Sequence, residues 1–258
     1  MIQPIRQQTL AIGATGAAEP LIEPLIEEVP VALVFDGVTQ AVMMATPADL
    51  EDFLRGFAVS EGIIAQGESL TGIEIVPQSR GIEARAWLPA RAGAAFRDRR
   101  RVIAGPVGCG LCGIDSLSQA LREVPHRAYR PVLGLAEAAQ ALDALREAQV
   151  LQDETRACHA AGLWVAGGLR LCREDVGRHN ALDKLIGAVG AVPEGAAIIM
   201  TSRISVDLVQ KAAMIGAGAI VSPSAPTGLA VEEARMAGLQ LIARARHAPE
   251  GRADYTAF

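Results

Sequence analysis

The last third of the chain sets the tightest limits on its fold. AAIIM (196–200), AIVS (219–222) and LQLIA (239–243) are short apolar runs of the kind buried in a sheet. Between them lie two helical stretches, TSRISVDLVQKAAMIGA (201–217) and PSAPTGLAVEEARMAG (223–238), the first with Leu208, Val209, Ala212 and Ile215 on one side. This β-α-β-α-β order predicts parallel strands joined by right-handed crossovers, with helices covering the sheet. Open sheets of this kind place ligands beyond the carboxyl ends of their strands. There the chain has TSR and SPSAPT, so Ser202, Arg203, Ser222, Ser224 and Thr227 are candidate anion ligands. They combine hydroxyl and helix-start N–H donors with one positive charge. Neither a G-x-G-x-x-G nor a Walker loop accompanies them, and such hydroxyls also serve as plain helix caps.

The first part reads as a small α+β lobe. Residues 1–30 form an irregular or extended arm rich in Pro, Gly, Glu and Gln. VPVALVFDG (29–37) and QAVMMA (40–45) are two strands around a turn at Asp36-Gly37, a hairpin signal. TPADLEDFLRGFAVSEG then starts a helix, with Thr46 as cap, Pro47 in the first turn and Asp49 at the positive end. Leu50, Phe53, Leu54 and Phe57 make its apolar face, and Gly62 ends it. Strands follow at 72–77 and 82–88. Further on, 132–150 is a helix joining two lobes. The division is an N-terminal lobe over 1–130, ending in a cysteine loop, and an α/β domain over 131–258.

Composition narrows the function classes. A net charge of −5 argues against nucleic acid, which needs clustered cations. RDRRR (97–101) is one compact basic cluster, read equally as a solvated edge or as a functional patch beside the cysteine loop. Aromatic residues are 3% of the chain, too few for a base-stacking platform. No apolar run is long enough to cross a bilayer, and the N-terminus lacks the pattern of a secretory signal, so the expected location is the cytoplasm.

Four cysteines do not make a disulfide scaffold, but Cys109 and Cys112 form a C-x-x-C inside GPVGCGLCGID. Glycines let backbone approach a ligand and leave the sulfurs unobstructed. Three functions fit: half a zinc site, a dithiol redox couple, or a sulfur-carrying nucleophile, beside two buried structural thiols. Zinc would need more ligands, with only His159 and His179 at hand. P-V-G-C-G-L-C and His159-Ala160-Ala161 imitate a nucleobase deaminase signature. Ala161 replaces the proton-shuttling glutamate, and the motifs run in reverse order, so that activity is rejected. A thioredoxin-type couple belongs at a helix start early in a βαβ unit, where this pair does not lie.

A second unusual stretch is LCREDVGRHNALDKLIGAVG (171–190). Leu182, Leu185, Ile186 and Val189 give a buried helix face. Ahead of it Glu174, Asp175, Arg178, His179, Asn180, Asp183 and Lys184 crowd together, as in a polar ligand site or an interlobe network.

These residues resemble a known family, the formate dehydrogenase accessory sulfurtransferases. The resemblance rests on TPADLEDFLRGFAVSEGII (46–64), CGLCG (109–113), EDVGRHNALDK (174–184) and 201–238, in the family's order over most of the chain. It implies a sulfur relay. A cysteine desulfurase supplies a persulfide, Cys109 accepts its sulfur with Cys112 assisting, and the sulfur passes to molybdenum bis(molybdopterin guanine dinucleotide). That cofactor, bound as substrate, then enters formate dehydrogenase. No permanent metal is implied.

The resemblance further implies a homodimer and a three-layer α/β core similar to cytidine deaminase without its zinc chemistry. The loops at 201–205 and 222–227 fit the cofactor's phosphate or guanine ends, His159, Arg178, His179 and Asn180 are further candidate contacts read from the residues themselves, and the family also uses a segment after the last strand. Here that segment is Arg244, Ala245, Arg246, His247, Ala248 and Pro249, where the family's aromatic and glycine are missing. TRACHAAGLW (155–164) departs too, with Arg156 and Ala157 in place of glycines and Cys158 as an added thiol. The alternatives are a cofactor-binding chaperone for formate dehydrogenase without obligatory sulfur transfer, and, further off, a C-x-x-C redox or zinc protein.

Overall fold

The computed structural model describes residues 5–12, 18–90, 92, 124–247 and 253–257. Cys109, Cys112 and the RDRRR cluster lie outside the described residues, as do Ala248 and Pro249.

The described chain is a mixed α/β protein with two mixed sheets and one separate hairpin. The hairpin replaces the expected irregular arm: β1 (Ile5–Ile12) pairs antiparallel with β2 (Ala18–Leu25). The first mixed sheet has β3 (Val29–Phe35), β4 (Val38–Ala45), β5 (Thr71–Gln78) and β6 (Gly81–Trp87), in the order β4-β3-β6-β5. The Asp36-Gly37 turn is as expected, with both residues at positive φ, 49° and 76°. That is the twist a two-residue hairpin requires.

Helix α1 (Leu50–Ser60) covers one face of this sheet, and Leu50, Phe53, Leu54 and Phe57 are buried against Leu33 and Phe35. Its start differs from the expectation. Asp49, at φ 50°, is the residue before the helix, and Thr46 lies outside it with its polar atoms turned to distant partners. The local capping signal at Thr46 yields to a nonlocal hydrogen-bond network.

The second sheet has six strands, β12-β11-β10-β9-β7-β8. At its centre, β9 (Ala197–Met200), β10 (Ala219–Val221) and β11 (Gln240–His247) run parallel, as their order in the chain required. Antiparallel strands flank them: β7 (His159–Val165) and β8 (Gly168–Asp175) on one side, β12 (Ala253–Ala257) on the other. Strand alternation splits the core into two layers. Ile198, Met200 and Ile220 pack under α4 (Arg178–Val189), α5 (Val206–Met214) and α6 (Gly228–Ala237). Ala197, Ile199 and Val221 pack on the other face with Ala138, Ala141 and Leu145 of α2 (Leu135–Glu147). The expected connector helix over 132–150 is therefore one of the sheet's layers, shorter than expected and followed by α3 (Val150–Thr155).

Helices α1 and α4 cross almost backbone to backbone. A Cβ on Gly56 would overlap the Asp183 carbonyl, and one on Gly187 would overlap the Asp52 carbonyl. Two buried ammonium groups close the crossing. Lys184 lies 2.6 Å from Asp175 and donates to the Thr46 carbonyl at 2.9 Å. The Asp175 carboxylate also accepts from the backbone N–H groups of Thr46 and Gly177 and from the Asn180 amide. Lys211 reaches Asp183 at 2.9 Å, Glu61 at 2.8 Å and the Ser60 hydroxyl at 2.8 Å. Burial alone would lower the Lys211 pKa, but the two carboxylates outweigh it and hold it above its ordinary value.

Gly56→Ala is expected to cost about 3 kcal/mol or more, because the obstacle is backbone and cannot rotate away. A fall in Tm of roughly 6–12 °C, measured by calorimetry, would correspond; an unchanged Tm would remove the crossing as a determinant of stability.

Candidate functional site

A cavity of about 1050 Å³ opens at the edge where the parallel strands end. Thr201 follows β9, Pro223 follows β10, and His159 begins the antiparallel β7 beside them; all three line it. This is the edge at which the strand order predicted a ligand. The remaining wall comes from the end of α2, from α3 and from the loop into β7, with Arg146, Gln149, Gln152 and Arg156 among its polar side chains.

His159 is half-buried, with Nδ1 3.4 Å from the Thr201 hydroxyl oxygen, which accepts the Ala160 N–H at 3.0 Å. Burial, with the charges of Arg178 and His179, lowers its pKa. The imidazole is thus neutral near pH 7, able to donate or accept but carrying no charge. His179, in the first turn of α4, meets the Asp207 carboxylate through Nε2. Burial would raise the Asp207 pKa, yet the hydrogen bond and charge of His179 overcome it and hold the carboxyl well below its usual range.

The remaining expected site residues separate by role. Asn180 is 2% exposed, and its amide donates to the Met44 carbonyl and to Asp175 at 2.8 and 2.9 Å, so both its donors are spent on the crossing. Ser222 is buried, donates to the Ser202 carbonyl at 2.6 Å and accepts the Ser224 N–H at 2.9 Å. The Ser202 hydroxyl donates to the Arg203 carbonyl. The Ser222 hydroxyl ties the two loops together, and Thr227 is a plain cap for α6, accepting the Ala230 N–H. Arg203 is exposed. The Arg244 N–H donates to the Ser224 carbonyl at 3.1 Å, so the loop beside Pro223 does meet the segment after the last parallel pairing. Beyond it, Arg246 and His247 continue β11 opposite Asp254 and Ala253, with Ala245 in the irregularity between.

The sequence reading missed Arg146, Gln149, Gln152 and Arg156. Only Arg156 carried a signal, as a departure from the resembled pattern. It holds φ 54° at the end of α3, a left-handed conformation costing a non-glycine residue about 1–2 kcal/mol.

Two thiols are described, and both are poor nucleophiles. Cys158 is raised far above the thiol range by burial and by Glu174, to which its Sγ donates at 3.3 Å. Burial, then Glu174, pushes Cys172 up to about 12. Glu174 also accepts the first N–H groups of α3, at Leu151 and Gln152. Among the described residues no cluster of His, Cys, Asp and Glu is arranged to hold a metal ion, and no helix is long and apolar enough to cross a membrane.

The profile of the FdhD/NarQ family matches residues 26–252. The chain belongs to that family. It is 48% identical over 225 residues to the sulfur carrier protein FdhD of Agrobacterium fabrum, covering 85% of this chain and 83% of that one. The sulfur carrier protein FdhD of Bordetella petrii is 42% identical over 241 residues, covering 92% and 86%. In three dimensions the chain resembles the crystal structure of a candidate formate dehydrogenase accessory protein from Desulfotalea psychrophila. The TM-score is 0.73 at 26% identity, over 98% of this chain and 96% of that one. Membership agrees with the resemblance seen in CGLCG and EDVGRHNALDK.

Two measurements check this description. In a Cys109→Ala/Cys112→Ala variant at pH 8, iodoacetamide should label native Cys172 roughly a thousandfold slower than a free cysteine, in proportion to its thiolate fraction. Labelling at the free rate would contradict the raised pKa. Asp207, with a depressed folded pKa, contributes stability above its unfolded pKa of about 4, lost as pH falls through the folded value. Wild-type and Asp207→Asn denaturation midpoints should therefore differ by a constant amount down to about pH 4 and draw together only as pH falls further, towards the folded value; a difference that stays constant throughout would contradict the pairing with His179.

Proposed function

We propose that this chain is a sulfur carrier serving formate dehydrogenase. It accepts sulfur from a cysteine desulfurase on Cys109 and passes it to molybdenum bis(molybdopterin guanine dinucleotide), its bound substrate, before that cofactor enters the dehydrogenase. The observation that carries the reading is the family match over 26–252, which takes in the C-x-x-C, together with relatives named sulfur carrier protein. The state of the other two cysteines supports it. With Cys158 and Cys172 held as thiols, Cys109 and Cys112 are left to supply the nucleophile.

The transfer is thiol–disulfide chemistry. The Cys109 thiolate attacks the outer sulfur of the donor's persulfide, a new S–S bond forms at Cys109, and the donor cysteine leaves as thiolate with the bonding pair. Cys112 assists release or relays the sulfur. At the strand-end cavity, neutral His159 and the Thr201 hydroxyl supply uncharged polar contacts to the nucleotide part of the substrate. Arg244, expected after the last strand, lies within β11, and in this reading it extends the contact surface along that strand, with β12 following later in the chain.

The three-layer sheet supports a further reading of the core as a cytidine-deaminase-like fold without deaminase chemistry. His159-Ala160-Ala161 at the start of β7 has alanine where a deaminase has its glutamate. The working form in this reading is a cytoplasmic homodimer.

Intact-protein mass spectrometry after incubation with a cysteine desulfurase and cysteine is the test. Wild type and Cys112→Ala should gain the mass of one sulfur, removable by reductant, and Cys109→Ala should gain none. No gain in wild type with a competent desulfurase would sink the carrier reading and favour a chaperone that binds the cofactor alone.

A further inference from the structure

The four-stranded sheet ends in an edge strand, β4, that the sulfur relay does not use. A sheet edge presents unpaired N–H and C=O groups, and natural proteins guard such edges with charges, proline or irregularity. Among the described residues the other edges are guarded in this way. Strand β5 carries Glu74 and Pro77, β8 carries Arg170 and Arg173, β12 carries Asp254, and both strands of the separate hairpin are charged. Strand β4, VTQAVMMA, has neither charge nor proline, and its one irregularity lies at Gln40, so 41–45 pair regularly.

The pairing with β3 fixes which groups face outward. Pro30 has no N–H to give, so its pair with Met44 is a non-hydrogen-bonded one, and the Met44 N–H and C=O point away from β3. The Asn180 amide takes that carbonyl at 2.8 Å, in keeping with this direction. Val42, two residues earlier, presents its N–H and C=O the same way, with no partner there among the described residues. Side chains alternate with the pleat. Ala41 and Ala45 are buried with α1, while Val42 and Met44 are 55% and 50% exposed on the opposite face, opposite Ala32 and Pro30. A foreign strand is selected and oriented largely by charge, and this edge offers none. A second copy of the same edge fits it. Antiparallel pairing across a two-fold axis opposes no like charges and satisfies the outward groups of both chains.

We propose that β4 pairs antiparallel with β4 of a second copy of this chain, joining the two four-stranded sheets into one continuous sheet. The two-fold axis passes at Val42, which lies opposite Val42 of the partner subunit, and Met44 lies opposite Gln40 of the partner subunit. This surface deepens the homodimer reading and rests on it.

Sedimentation velocity on the full chain, together with cysteine cross-linking, tests it. Wild type should sediment as a dimer. Val42→Lys sets two ammonium groups face to face and should raise the dimer dissociation constant roughly tenfold, whereas Val42→Thr should leave it within about twofold. Position 42 is exposed, so an unchanged circular dichroism spectrum separates lost pairing from lost fold. In a Cys109→Ala/Cys112→Ala background, Val42→Cys should form an intermolecular disulfide on mild oxidation. Opposed residues of such a pair lie about 5.5 Å apart at Cα, within disulfide reach. Thr39→Cys, also exposed and on the same strand, should not cross-link, because the two-fold sets its two copies roughly 20 Å apart. A dimer unchanged by Val42→Lys, or cross-linking at Thr39→Cys but not at Val42→Cys, would overturn the edge pairing and leave the homodimer reading standing. A monomeric wild type would remove both and leave the edge to an extended segment of another protein.

Discussion

Lys184 has no solvent-exposed surface, yet its ammonium ties together parts of the chain 138 positions apart. It meets Asp175 at the end of β8 and the Thr46 carbonyl beyond β4, and it lies 6.0 Å from the centre of the Phe53 ring of α1. One turn further along α1, Lys211 stands 5.6 Å from the Phe57 ring and closes on Asp183 and Glu61. Removing these charges from water is costly, and the cost is offset only because nearly every donor and acceptor has a partner. Gly56 and Gly187 permit that geometry by letting α1 and α4 touch at the backbone. The orientation of the six-stranded sheet, and so of the cavity at its edge, relative to the four-stranded one follows from this seam.

Much of this architecture could be read from local pattern. The Asp36-Gly37 turn, the apolar face of α1 and the parallel β9-β10-β11 run each announce themselves within a dozen residues. Strands β7 and β8 do not. HAAGLWV and GLRLCRED hold few β-branched residues and several charges, so pairing with β9 rather than intrinsic preference makes them strands. Thr46 shows the same limit, since its best local use is as a cap and its actual use depends on residues about 130 positions away.

The site was legible by location more than by residue. The strand order pointed to one edge of the sheet, and a cavity lined by His159 and Thr201 lies there. The hydroxyls that looked most like ligands are instead what holds the two loops in shape. In EDVGRHNALDK the crowded polar groups divide by helical face. Asp175, Asn180, Asp183 and Lys184 turn into the crossing, while His179 turns to Asp207 on α5. A sequence shows that such a cluster exists; which members face inward depends on where α1 lies.

The seam is built from charges, and that shapes how the molecule comes apart. A purely apolar interface can loosen by degrees, each side chain losing contact in turn. Here partial separation would strand an ammonium or a carboxylate without its partner before water could reach it. The intermediate positions are therefore the costly ones. The two halves should behave as a latch with two settings, seated or fully released, with no slack between them.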